Sequence, residues 1–218
     1  MNGSVSGSVS GASKRDLRHA ARERRSRLAA ALRSAPGGAG VADAAEAIAE
    51  TVLRFVPDEG RVAVYESLPD EPPTGRLIER LLESGHEVIV PVVLDDFSLE
   101  WRYPVRGAVG DRGTVTRRRA APGADERGPD DRSEWLGVDA LSACDLVVTP
   151  GLTVDRHGAR LGQGGGCYDR ALLHRDPAAP VVTLLHEGEA SEDDLPVDEH
   201  DLPVDAYVTT TGRLVRVG

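Results

Sequence analysis

Aromatic side chains are scarce, only 4% of 218 residues, so any core must be assembled from valine, leucine and alanine. Cysteine is scarcer still. Cys144 and Cys167 show no CxxC spacing, and two thiols make no disulfide framework. No stretch approaches the roughly 18 consecutive apolar residues of a membrane span. Met1 to Ala12 is a Gly/Ser/Val repeat without a basic start or a continuous apolar run, so it is not expected to be a signal peptide, and the cytoplasm is the expected location. His86, His157, His174 and His186 lack metal-ligand spacing, and no Gly-x-Ser-x-Gly nucleophile elbow is present.

Charge, by contrast, is plentiful and unevenly spread. The formal balance is −10, which disfavours a general affinity for nucleic acid or anionic membranes. Residues 14–33 are rich in arginine, whereas residues 187–205 are rich in aspartate and glutamate. The two runs either attract one another, face a polyanion bridged by a cation, or are simply two solvated surfaces.

Residues 1–12 read as a flexible low-complexity tail and residues 13–218 as one α/β domain. Ser13 is an expected N-cap for a helix from Lys14 to Arg33, whose apolar stripe (Leu17, Ala21, Arg24, Leu28) is thin, leaving its arginines available at the surface. A second helix is expected from Val41 to Phe55. Val62–Tyr65, a helix capped by Thr74 and running to Glu83, and Val88–Val90 closed by Pro91 form a strand–helix–strand unit of a parallel sheet. Leu99–Tyr103 is a candidate edge strand. Residues 106–134 have almost no apolar content and are expected to form a long surface loop, with Arg117, Arg118 and Arg119 as solubilising charges. Further strands are expected at Leu146–Val148, Val181–Leu185 and Asp205–Thr209, with a short addition at Leu214–Val217. The fold class is therefore α/β: a single domain with a mainly parallel, Rossmann-like open sheet and helices on both faces. Ligands should bind beyond the carboxyl ends of its strands.

The most informative passage runs from Asp145 to Arg170. A buried strand emerges at Pro150, and glycines at 162, 164, 165 and 166 precede a helix expected from Tyr168 to His174. Glycine allows positive φ and close backbone approach to a ligand. Free N–H groups at a helix start favour an anion. Arg160 adds a guanidinium fork suited to phosphate, and Asp169 a hard oxygen where a phosphate-bound magnesium would sit. The Gly-Lys-Ser/Thr ending of a P-loop is missing, and the passage lies too late for a dinucleotide fingerprint. Asp155 is expected to order the loop as a turn residue.

The string Arg160-Leu-Gly-x-Gly-x-Gly-x-Tyr-Asp169 resembles the signature of 5-formyltetrahydrofolate cyclo-ligases, also called methenyltetrahydrofolate synthetases. Lys14-Arg-x-Leu-Arg18, Tyr65 through Asp70-Glu71-x-x-Thr74, and Leu195-Pro-Val-x-Glu-His-Asp201 resemble three further family motifs, in order. The resemblance implies ATP- and Mg2+-dependent cyclisation of 5-formyltetrahydrofolate to 5,10-methenyltetrahydrofolate, with release of ADP and phosphate. It implies an ATP site of Lys14, Arg18, Arg160, Gly162, Gln163, Gly164, Gly165, Gly166, Cys167 and Tyr168. Glu66, Glu71, Gly166 and Cys167 would meet the reduced folate, and Asp169 and Asp201 would hold magnesium. No side chain is singled out as a general acid or base. The expected partners are small molecules alone, and the expected form is a monomer.

The pattern departs from the family at Cys167, where a tyrosine or phenylalanine is common, and at Glu66, where a small or apolar residue is usual. A divergent ATP-dependent ligase on another formamide or carboxyl substrate, and a non-catalytic nucleotide-binding protein, are the competing readings.

Overall fold

The computed structural model describes residues 13–36, 39–104, 117–118 and 135–218. The tail at 1–12, Arg119 and nearly all of the 106–134 segment lie outside them. Helix α1 spans Lys14–Arg33 and α2 Ala39–Leu53. Strand β1 (Arg61–Val64), α3 (Gly75–Glu83) and β2 (Glu87–Leu94) form the expected crossover unit, followed by β3 (Leu99–Arg102) and the two-residue β4 (Arg117–Arg118). A 3-10 turn at Val138–Ala143 leads into β5 (Leu146–Pro150), and a small hairpin pairs β6 (Thr153–Val154) with β7 (Arg160–Leu161). Helix α4 (Cys167–Ala171), β8 (Val181–Leu185), β9 (Ala206–Thr209) and β10 (Leu214–Arg216) complete the chain.

The main sheet has the order β10-β9-β8-β5-β1-β2-β3, parallel from β9 to β2 and antiparallel at both edges. From β1 the chain crosses to β2 on one side, whereas from β5 it crosses to β8 on the other. Right-handed crossovers therefore put α3 and α4 on opposite faces. The point where direction reverses lies between β1 and β5, where open α/β sheets form their ligand crevice. The central strands are apolar on both faces, with every residue of β8 buried, as a doubly covered parallel strand requires.

Helix α3 shows why such a segment folds as it does. Leu77, Ile78 and Leu81 recur at helical spacing and are essentially inaccessible. Each contributes about 1.5–3 kcal/mol of burial relative to an exposed side chain.

Several expectations are corrected. Thr74 does precede α3, but its hydroxyl caps nothing: it accepts from the Ser67 amide at 3.0 Å and ties the preceding loop closed. Strand β2 does not end at Pro91. Its pairing with β1 stops at Ile89 and β4 joins only at Val93, so a residue without an N–H is tolerated between them. Arg117 and Arg118, expected within a surface loop, instead form a short strand whose backbone pairs in parallel with Val93 and Leu94. In α1 the buried positions are Ala21, Arg25 and Ala29 rather than a stripe through Arg24.

Candidate active site

Helix α1 lies across the carboxyl end of the sheet, and its inward face is cationic. Ser13 caps it by accepting from the Asp16 amide. Lys14, Arg18, Arg22 and Arg25 then project along one face, being four, four and three residues apart. Lys14 Nζ donates to Asp198 at 2.6 Å and to Asp201. Arg18 Nε donates to the Gly162 carbonyl at 3.2 Å, and Arg22 holds both the side chain and the carbonyl of Gln163 at 2.9 and 2.6 Å. Arg25 closes the row with a two-pronged pair to Glu189 at 2.8 and 2.7 Å, and donates also to the Gly151 carbonyl. One helix thereby fastens the loops that follow β5, β7 and β8.

Beneath it is a cavity of about 620 Å³. Every site residue proposed from the sequence lines it: Lys14, Arg18, Glu66, Glu71, Arg160, the Gly162–Gly166 run with Gln163, Cys167, Tyr168, Asp169 and Asp201. The Gly-rich wall is launched by the β6–β7 hairpin, whose turn is built on Asp155. Its carboxylate is buried and accepts from the amides of His157, Ala159 and Leu195 at 2.9, 2.9 and 2.8 Å, the turn role expected for it. Gly164 and Gly166 sit at φ +106° and +65°, where a side chain is strained. Helix α4 is only five residues long and tightens into a 3-10 turn through His174, so its dipole is small and the loop's anion affinity falls to amides and cationic side chains.

Arg160 lies under this loop with its side chain 3% exposed. It donates to the Pro150 carbonyl at 3.1 Å and to Asp169 at 2.5 Å, and its guanidinium stands 5.8 Å from the centre of the Tyr168 ring. Arg170 fastens the outer edge, donating to the Phe97 carbonyl at 2.6 Å and the Gly165 carbonyl at 3.0 Å.

The floor is a different environment. Glu71 is buried and accepts from the Leu68 amide at 3.0 Å. Burial pushes its pKa up, outweighing that amide and the Arg25 charge. Tyr65 donates to the Pro72 carbonyl at 3.0 Å, whereas the Tyr168 hydroxyl is buried without a partner among the described residues. Burial raises the pKa of both phenols, with the Glu71 charge acting in the same direction, so both stay neutral. His186 contacts the Asp70 carbonyl at 3.0 Å through Nε2, and burial lowers its pKa. Glu66 is held by Arg102 at 2.7 Å.

Asp169 and Asp201, both on the cavity wall, are each paired with a cation, Arg160 and Lys14. No group of three or more His, Cys, Asp or Glu residues poised for a metal occurs among the described residues. Arg22, Arg25, Arg170, Asp198 and Glu189 are the parts that sequence reasoning missed. The spacing of Arg22 and Arg25 from Lys14 was a usable signal; nothing local marks Glu189.

Residues 10–210 match the model of the 5-formyltetrahydrofolate cyclo-ligase family. The chain is 32% identical to a 5-formyltetrahydrofolate cyclo-ligase of Mycolicibacterium smegmatis over 71% of its own length and 75% of that protein. It is 36% identical to the Escherichia coli protein of the same name, over 68% and 76%. Its fold is that of the 5,10-methenyltetrahydrofolate synthetase of Mycoplasma pneumoniae, with a TM-score of 0.62 at 16% identity, covering 90% of this chain and 98% of the other. The Aquifex aeolicus synthetase superposes with a TM-score of 0.55 at 23% identity, covering 94% and 92%. The chain belongs to the 5-formyltetrahydrofolate cyclo-ligase family.

Proposed function

We propose that this ATP-dependent ligase closes 5-formyltetrahydrofolate to 5,10-methenyltetrahydrofolate, with ATP bound at the Gly-rich end of the cavity and the reduced folate at the Glu71 end. One observation carries the reading. A single cavity joins cationic side chains grouped around a glycine loop (Lys14 and Arg18 from α1, Arg160 from β7) to a buried carboxyl group (Glu71) beside the apolar Leu68, Val93 and Leu99. That is the polarity needed by a polyphosphate meeting a flat, hydrogen-bonding heterocycle.

In this reading the formyl oxygen attacks the γ-phosphorus, the bond from that phosphorus to the bridging oxygen breaks, and ADP departs. N10 then attacks the activated formyl carbon, loses its proton, and the carbon–oxygen bond to phosphate breaks. The protein's task is to align and neutralise, which accounts for a site without an evident general base. Lys14, Arg18 and Arg160 balance the phosphates, the Gly164–Gly166 amides cradle them, and the Glu71 carboxyl orients the heterocycle. Asp169 and Asp201 fit a magnesium ion, being hard oxygen donors on one wall with side chains 26% and 24% exposed. The bound ion would supply charge neutralisation at the phosphate oxygens.

The test is an absorbance assay for the methenyl product with 5-formyltetrahydrofolate, ATP and magnesium. A rise that needs both ATP and magnesium is expected. Thermal stabilisation by ATP without turnover would sink the substrate assignment and leave a nucleotide-binding protein.

A further inference from the structure

Two of the cations that line the cavity are already committed to carboxylates. Lys14, with a side chain 16% exposed, is held by Asp201 and Asp198, and Arg160 by Asp169. The Asp201 carboxylate also accepts from the Asp198 amide at 2.8 Å, which fixes the loop that presents it. Two distant ion pairs thus meet at one wall, and the Arg160 charge is felt at Asp201 as well. Arg18 and Arg22 differ, donating to the Gly162 carbonyl and to Gln163 rather than to a carboxylate.

We propose that Asp201 and Asp169 make the site selective for a metal-bound polyphosphate over the free one, by holding Lys14 and Arg160 until a divalent cation replaces them. The inference rests on the assignment of this end of the cavity to ATP. A metal-free triphosphate can engage Lys14 only by drawing it from Asp198 and Asp201. Those carboxylates are then left unpaired beside a polyanion, where like charges repel. When a divalent cation arrives with the phosphates, each partner is exchanged and no charge is stranded. The carboxylates take the metal while Lys14 and Arg160 take phosphate oxygens. By linkage, nucleotide raises the affinity for metal by the same factor as metal raises the affinity for nucleotide.

A structural salt bridge and this exchange predict opposite signs. The experiment is titration calorimetry of the full chain with ATP in excess chelator and, separately, with ATP in excess magnesium, with no folate present. For Asp201→Asn the expected result is metal-free ATP bound about tenfold more tightly than by wild type, and magnesium-ATP about tenfold more weakly, within the usual range of site-to-site coupling. Asp169→Asn repeats the test at the second pair, and thermal melts verify that both variants are folded. If both folded variants lose affinity for both forms, or leave the metal-free form unchanged, the exchange is wrong and the pairs are only structural. If wild-type protein binds ATP in neither arm, it is the assignment of the nucleotide end that fails.

Discussion

At the mouth of the cavity Lys14 meets Asp198 and Asp201 with side chains 16%, 74% and 24% exposed, whereas at its floor Arg25 meets Glu189 with 4% and 0%. Both pairs join α1 to loops near the other end of the sequence, yet exposure gives them different physics. A pair open to water is worth roughly 0–1 kcal/mol and is readily exchanged for a ligand. A pair sealed from water is not replaced by solvent, so its partners stay together whatever enters the cavity. The floor is also held by uncharged bonds: Glu189 accepts from the His186 amide, and His186 contacts the Asp70 carbonyl. One end of the cavity is thus built to be rearranged and the other to stay fixed.

The largest effect is expected from breaking the floor. Arg25→Met leaves Glu189 buried and uncompensated, which should lower unfolding free energy by about 3–5 kcal/mol in urea titrations. Adding Glu189→Met should recover much of that loss, because removing both partners leaves no stranded charge. Breaking the mouth should spare the fold and stop the chemistry. Asp201→Asn, at the open pair, is expected to reduce magnesium-dependent initial rates about a hundredfold or more while shifting stability by under about 1 kcal/mol.

The two buried tyrosines sharpen the comparison by a smaller amount. Tyr65→Phe strands the Pro72 carbonyl and should cost about 1 kcal/mol, read as a lower melting temperature. Tyr168→Phe removes a hydroxyl that has no partner among the described residues, so its melting temperature should hold or rise. The smallest effect is the pH response of the floor. Burial depresses the His186 pKa, so its contribution is fully present above the ordinary value of 6.5 and is lost as pH falls through the folded value. Glu71 has the opposite sign. Its raised pKa gives a contribution present below the ordinary 4.5 and lost as pH rises through the folded value. Unfolding curves across pH should show His186→Gln flattening the acid-side loss and Glu71→Gln flattening the other.

Much of the scaffold was legible along the chain. The Ser13 cap, the length of α1, the bounds of β8 and the turn at Asp155 each depend on residues close in sequence, where periodicity and turn chemistry operate. The Gly162–Gly166 run and its flanking Arg160 and Asp169 were readable for the same reason. What escaped was decided by neighbours from elsewhere. Thr74 looks like a cap in its own segment, yet its hydroxyl belongs to Ser67. Pro91 looks like a strand end until the pairing pattern around it is seen. Arg25 looks like one more solvent-facing arginine among many.

By itself, then, the sequence determined the longer helices and strands, the mainly parallel class of the sheet, and which residue types gather on the Gly-rich loop. Only the tertiary structure decided which charges are spoken for. Arg25 and Glu189 lie 164 positions apart, and Lys14 and Asp201 lie 187 apart. The reason is physical. Backbone conformation is governed by interactions within a few residues, but the worth of a charge depends on how much water surrounds it, which no local stretch of chain can specify.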